Sequence, residues 1–250
     1  MHAHRKTPFV VSIVLRLGHL LALGGAVAGA SVALGVLLNR SAPPLHVMLP
    51  QMFPFAKMSL SVDGLSAFFL LVVSLVTAAA AIYGPAYLGA HAKAPLVQVL
   101  ALNVFVGCMV LVCCAGDALT FLLAWEGMTL ASYVLVVCDT EGAENTRAGL
   151  LYLVMAHAGT AALLVVFLML VDRAQAFDFA AFRTAARSLD GSTRTTLFML
   201  ALAGFGVKAG VVPLHVWLPK AHPAAPSHVS ALMSGVMLKV APQRFKQSIF

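Results

Sequence analysis

Six ionisable side chains stand inside apolar runs of this sequence: Arg16, His19, Glu126, His157, Lys208 and Lys239. At membrane depth each costs roughly 2.5–3.5 kcal/mol to insert, so each is a candidate for function. The chemistry open to them is proton transfer. A carboxyl and an amine buried together change one another's proton affinity, so a pair whose members can be moved apart is a proton switch. Glu126 lies in FLLAWEGMTLASY (121–133) and Lys208 in GFGVKAGVVPLHVWLPKAHPAAPS (204–227). Lys239 closes the run VSALMSGVMLK (229–239). His157 sits in LVMAHAGTAALL (153–164), where an imidazole can relay protons. Each also has a plainer reading. Glu126 can be a protonated packing group, Lys208 a lysine snorkelling to the interface, Lys239 a lysine near a helix end and His157 a packing histidine. The depth of Lys208 in its run argues against snorkelling, whereas Arg16 and His19 are within snorkelling reach. His215, His222 and His228 flank a helix break and can gate proton entry or satisfy loop backbone.

Apolar helices must hold these groups. Of 250 residues 61% are hydrophobic and only 10% charged, and mean hydropathy is +0.94. An ordinary soluble domain carries roughly 25% charge. A soluble enzyme, a disordered chain and a secreted disulfide scaffold are thereby excluded, and the fold class is an all-α polytopic membrane protein. Seven apolar runs (9–38, 64–84, 96–115, 118–138, 149–171, 195–212 and 227–240) predict about seven transmembrane helices. None shows the alternation of a β-barrel. The net charge of +7 is scattered through short loops, which fits topology and lipid headgroups rather than nucleic acid. Cys108, Cys113, Cys114 and Cys138 lie in apolar runs without a C-x-x-C and read as packing residues. The sequence holds no H-E-x-x-H, G-x-S-x-G, Walker loop, dinucleotide fingerprint or haem or Fe–S cysteine spacing, so no redox cofactor is expected.

Local signals set the ends of these elements. Asp63 is a good N-cap for the helix beginning at Gly64, and Gly84-Pro85 predicts its end. Asp117 caps the run from 118 after a tight turn, making 96–115 and 118–138 antiparallel neighbours. The Pro-rich segment 39–62 is expected to hold short extended pieces. The loop 172–194, with Phe177, Phe179, Phe182, Arg183 and Arg187, predicts a short amphipathic piece at the interface. Tyr83, Tyr87 and Trp217 read as interfacial aromatics. Pro213 cannot donate to the carbonyl of Ala209, and with Gly206 and Gly210 it breaks the helix beside Lys208. Such breaks expose polar backbone and water to a site at membrane depth.

Charge does not orient the chain. With the N-terminus inside, Arg5, Lys6, Lys93, Arg147 and Lys220 nearly balance Arg40, Lys57, Arg173, Arg183, Arg187 and Arg194 outside. The last apolar run, 227–240, reaches roughly 21 Å against a hydrocarbon core of about 30 Å. The polar APQRFKQSIF (241–250) follows, which reads as a truncated or frame-shifted tail. Three regions result: an N-terminal helix and Pro-rich loop (1–62), transmembrane helices (63–240) and the atypical tail (241–250).

Four stretches, VDGLSAFFLLVVSL (62–75), FLLAWEGMTLASY (121–133), MAHAGT (155–160) and KAGVVPLHVWLPKAHPAAPSHVSALMSGVMLK (208–239), resemble one family. They are similar to the antiporter-like membrane subunits of proton-pumping NADH:quinone oxidoreductases, membrane-bound hydrogenases and multisubunit Na+/H+ antiporters. The last stretch looks most like the hydrogenase-4 component B and formate hydrogenlyase branch. The resemblance covers about residues 45–240. It implies two inverted five-helix repeats, each with a broken helix, of which about 96–240 is the first; the second is missing from this sequence. The family commonly has two helices before the VDGLS segment, where one is found here. The resemblance makes Glu126 the ion-pair glutamate, Lys208 its lysine on the broken helix, Lys239 the connecting lysine, and His157 the histidine of the hydrogenase-type branch. The implied function is proton movement coupled to electron transfer in partner membrane and hydrophilic subunits, in the bacterial inner membrane, with no redox centre in this subunit. The alternatives are a component of a cation/proton antiporter and a truncated, non-transporting remnant.

Overall fold

A computed structural model of the chain describes residues 9–39, 43–50, 53–54, 57–91, 94–138, 143–240 and 243. Arg5, Lys6, Arg40, Lys93 and the tail apart from Gln243 lie outside the described residues. Among the described residues five helices are long and apolar enough to cross a bilayer. They are α1 (Phe9–Leu38), α2 (Gly64–His91), α3 (Pro95–Cys114), α4 (Ala118–Val137) and α5 (Ala143–Ala174). The chain is a multi-pass helical membrane protein. The two remaining apolar runs are interrupted. Run 195–212 forms α7 (Gly191–Ala209), and a short α8 (Leu218–Ala224) follows the break. Run 227–240 forms α9 (Ser227–Leu232) and a π-helical turn (Met233–Met237).

The caps act as their residue types require. The Ser66 N–H donates to Asp63 Oδ1 at 2.8 Å and the Thr120 N–H to Asp117 Oδ1 at 2.8 Å, each closing the first turn of a helix. The expected end of α2 at Gly84-Pro85 is wrong: the helix runs through Pro85 to His91. A proline removes one backbone hydrogen bond without ending an apolar helix whose neighbours hold it.

The Pro-rich segment contains an antiparallel hairpin, β1 (Leu45–Met48) and β2 (Ser59–Val62), with Leu45 opposite Val62 and Met48 opposite Ser59. The hairpin is bolted to the α3–α4 turn. The Gly116 N–H donates to Ser59 O (2.8 Å), and the buried Asp117 carboxylate accepts from the Ser59 N–H (2.6 Å) and both donors of Thr120. A Cβ at Gly116 would stand 2.6 Å from Ser59 Oγ, so a larger residue there would have to displace the Ser59 side chain. The turn also reaches the start of α6 (Phe179–Arg187), whose Phe179 N–H donates to Gly116 O (3.2 Å).

α6 is the expected amphipathic piece, but its aromatic face is not in the headgroup layer. Phe179 and Phe182 are buried against Phe167, and Phe179 also meets Phe121. The exposed side carries Arg183 and Arg187.

Small residues set the helix spacings. A Cβ at Gly127 of α4 would lie 2.7 Å from Cys108 Sγ of α3, consistent with antiparallel helices about a tight turn. A Cβ at Gly204 of α7 would lie 2.8 Å from the backbone oxygen of Gly159 on α5 and 2.6 Å from Leu163 Cγ. α5 and α7 therefore meet almost backbone to backbone.

Candidate proton-transfer site

One stripe of α4 carries Trp125, Thr129 and Ser132, spaced four and three residues apart and all buried. Thr129 Oγ1 donates to Trp125 O (2.9 Å), and Ser132 Oγ lies 2.8 Å from Met128 O and 2.9 Å from Thr129 O. With its hydrogen directed along the helix, the Thr129 hydroxyl presents its lone pairs to the neighbouring helices.

Lys208 of α7 points at this stripe. The Nζ group donates to Thr129 Oγ1 (2.6 Å) and to the hydroxyl oxygen of Tyr152 on α5 (2.9 Å). Tyr152 in turn shares a 2.6 Å hydrogen bond with Ser132 Oγ. Lys208 is 1% exposed, with Nζ 5.5 Å from the ring centre of Trp125 and 5.2 Å from that of Tyr152. The amine is thus held by two hydroxyl oxygens and two aromatic faces. Among the described residues no carboxylate stands within ion-pair distance of it. Glu126, the partner that the family resemblance implies, is within electrostatic reach of Lys208 and Tyr152 but turned to another face of α4.

That face holds a second pair. Glu126 Oε2 is 3.4 Å from Nε2 of His157 on α5, with the two side chains 30% and 49% exposed. His157 Nδ1 lies 2.9 Å from Leu153 O. A carbonyl only accepts, so Nδ1 carries a hydrogen and Nε2 is the nitrogen that faces the carboxylate.

The break beside Lys208 is built by Gly210 and Trp217. Gly210 takes a left-handed backbone (φ 71°). The Val211 N–H donates to Gly206 O (3.0 Å) and the Gly210 N–H to Val207 O (3.3 Å), the pairing of a Schellman motif. The following segment, which includes Pro213, folds back and brings the Trp217 Nε1–H to Val207 O at 2.8 Å. Trp217 is fully buried with its ring 4.7 Å from that of Tyr152, not interfacial as expected. Its one polar atom finds a carbonyl freed by the break, so burial leaves nothing unsatisfied.

The other candidates stand apart from this cluster. Lys239 is exposed and donates to Ser234 O (3.1 Å). His222 Nδ1 is 2.6 Å from Ser230 Oγ, tying α8 to α9. His228 is buried with its ring 5.3 Å from Tyr87, and His215 is half-buried. Arg16 is exposed. His19, expected to snorkel, is buried: its Nδ1 bonds Leu15 O (2.7 Å) and its ring fills the space left by the missing Cβ of Gly84. Thr129, Ser132 and Tyr152 were not singled out from sequence. The legible signal was the shared face of Trp125, Thr129 and Ser132.

The arrangement defines a helical membrane protein with a buried lysine beside a helix break and a carboxyl–imidazole pair alongside. Residues 115–246 match the family described as NADH:quinone oxidoreductase/Mrp antiporter, TM, and the chain belongs to that family. It is 40% identical to Hydrogenase-4 component B of Escherichia coli (strain K12) over 205 residues, 82% of this chain and 29% of that protein. It is 34% identical to NADH-quinone oxidoreductase subunit N of Deinococcus radiodurans over 138 residues, 54% of this chain and 27% of that one. It therefore spans under a third of the length of these relatives. The fold matches a chain of the membrane-bound sulfane sulfur reductase, an archaeal respiratory membrane complex, with a TM-score of 0.75 and 24% identity over 92% of this chain and 38% of that one.

Proposed function

We propose that this chain moves protons as part of a membrane subunit of a respiratory complex, of the quinone oxidoreductase or membrane-bound hydrogenase kind, in a bacterial inner membrane. The observation that carries this reading is Lys208, fully buried in a broken helix on hydroxyl oxygens, with the Glu126–His157 pair close by. Glu126 has two basic groups within reach. When its carboxylate swings from His157 toward Lys208, the proton affinity of both changes. Electron transfer in partner membrane and hydrophilic subunits would drive that swing. Lys239 and the histidines His215, His222 and His228 would continue the path on either side. The subunit itself would hold no redox centre.

The test is Glu126→Gln in the assembled complex, reconstituted in vesicles. Electron transfer should continue while proton uptake into the vesicles falls. Unchanged uptake per electron would overturn the reading. The family also includes Mrp antiporters, which supports a second reading as a cation/proton antiporter component. Proton movement driven by a Na+ gradient without any electron donor would favour it.

A further inference from the structure

The end of the molecule that carries the hairpin, the α3–α4 turn and α6 is rich in arginine, and most of its aspartates are already engaged. Asp63, Asp117, Asp178 and Asp190 each accept the backbone N–H three residues on, at 2.8–2.9 Å, and so cap helices. Asp172 is exposed on α5. Arg183, Arg187 and Arg194 line a cavity of about 310 Å³ whose other walls include Leu170, Leu189 and Leu197. Arg194 is anchored there, its Nη2 donating to Leu189 O (3.3 Å) and Ala186 O (3.5 Å). Among the described residues no carboxylate lies within ion-pair distance of Arg187 or Arg194, and no hydrogen-bond partner is found for Arg187.

The position of the cavity selects its occupant. Leu170 lies near the end of the α5 span, so the cavity sits at an end of the apolar helices, the level at which a membrane protein meets headgroups. Guanidinium forks match phosphate oxygens in pairs. A basic pocket between membrane helices is the form that headgroup recognition takes. We propose that Arg187 and Arg194 bind the phosphate of an anionic membrane phospholipid whose acyl chains pass over Leu170 and Leu197. A zwitterionic lipid adds a cation that these arginines repel.

The full chain in neutral detergent can be titrated with dioleoylphosphatidylglycerol and with dioleoylphosphatidylcholine, and the bound lipid counted by native mass spectrometry. The phosphatidylglycerol adduct should dominate. Arg187→Gln should weaken it about five-fold and Arg187→Gln with Arg194→Gln about 25-fold, at about 1 kcal/mol per arginine. Arg187→Lys, which keeps the charge, should retain most of the preference and serves as the readout if the glutamine variant fails to fold. Arg173→Gln, outside the cavity, should change nothing. Equal binding of the two lipids, or equal loss in Arg173→Gln and Arg187→Gln, overturns the proposal. Displacement of phosphatidylglycerol by millimolar inorganic phosphate also overturns it and marks a site for free phosphate.

Discussion

Lys208 is held by oxygens that carry no charge of their own, and this separates it from an ordinary buried ion pair. Its Nζ contacts Thr129 Oγ1 and the Tyr152 hydroxyl, while the nearest acid, Glu126, is occupied with His157. A lysine in such a place can lose or gain a proton without breaking a salt bridge, because both oxygens accept from an amine as well as from an ammonium. The Tyr152 hydroxyl is the hinge of the network, since it touches both Lys208 and Ser132. Tyr152→Phe keeps the ring against Trp217 and removes only the oxygen. It should cost about 1–3 kcal/mol, the penalty for leaving a buried donor unmet. Thermal unfolding of the purified variant in detergent checks this. A midpoint equal to that of the parent would show that the hydroxyl does not hold the lysine.

The elements bring these residues together through the absence of side chains as much as through their presence. Gly159 and Gly204 let α5 and α7 approach to backbone contact, which sets Tyr152 opposite Lys208. Gly204→Ala forces a methyl group against the Gly159 carbonyl and Leu163. It should destabilise the chain by about 1–3 kcal/mol, the usual cost of overpacking, and should weaken proton movement further by displacing Lys208. Chemical denaturation in detergent measures the first effect; a stability unchanged by the substitution would mean that the helices are not in close contact. Much of this level was legible in the sequence. The apolar runs located the helices, Asp63 and Asp117 marked their starts, and Gly210 with Pro213 marked the break. Pro85 was misread because a local breaker signal carries no information about the neighbours that hold a helix through it. Trp217 was misread for a related reason. Its position near a segment end suggests an interface, and only the folded-back break places its N–H on Val207 O. The face of α6 shows the same limit: the Phe and Arg pattern predicted amphipathicity, not that Phe121 and Phe167 would cover the aromatic side.

For the whole molecule, the sequence marked the ionisable groups inside apolar runs but not which of them touch or which are buried: Lys208 is buried, whereas Arg16 and Lys239 are exposed. Glu126, His157 and Lys208 were identified by type and depth. Their grouping, His157 with Glu126 and Lys208 with Tyr152, depends on how α4, α5 and α7 turn about their axes, a tertiary property that spacing along one helix does not encode. The result is a membrane-embedded bundle with a rigid plate of hairpin, turn and α6 at one end and a broken helix at its centre. Lys208 lies at the meeting of α4, α5 and the break. If the molecule works by moving a proton through it, losing that lysine cuts the path at its most buried ionisable group. The decisive measurement is proton uptake by vesicles containing the assembled complex with Lys208→Ala, recorded together with electron transfer in the same sample. The account predicts that electron transfer persists while coupled proton uptake falls to the passive leak. Full coupled uptake in the variant would contradict it.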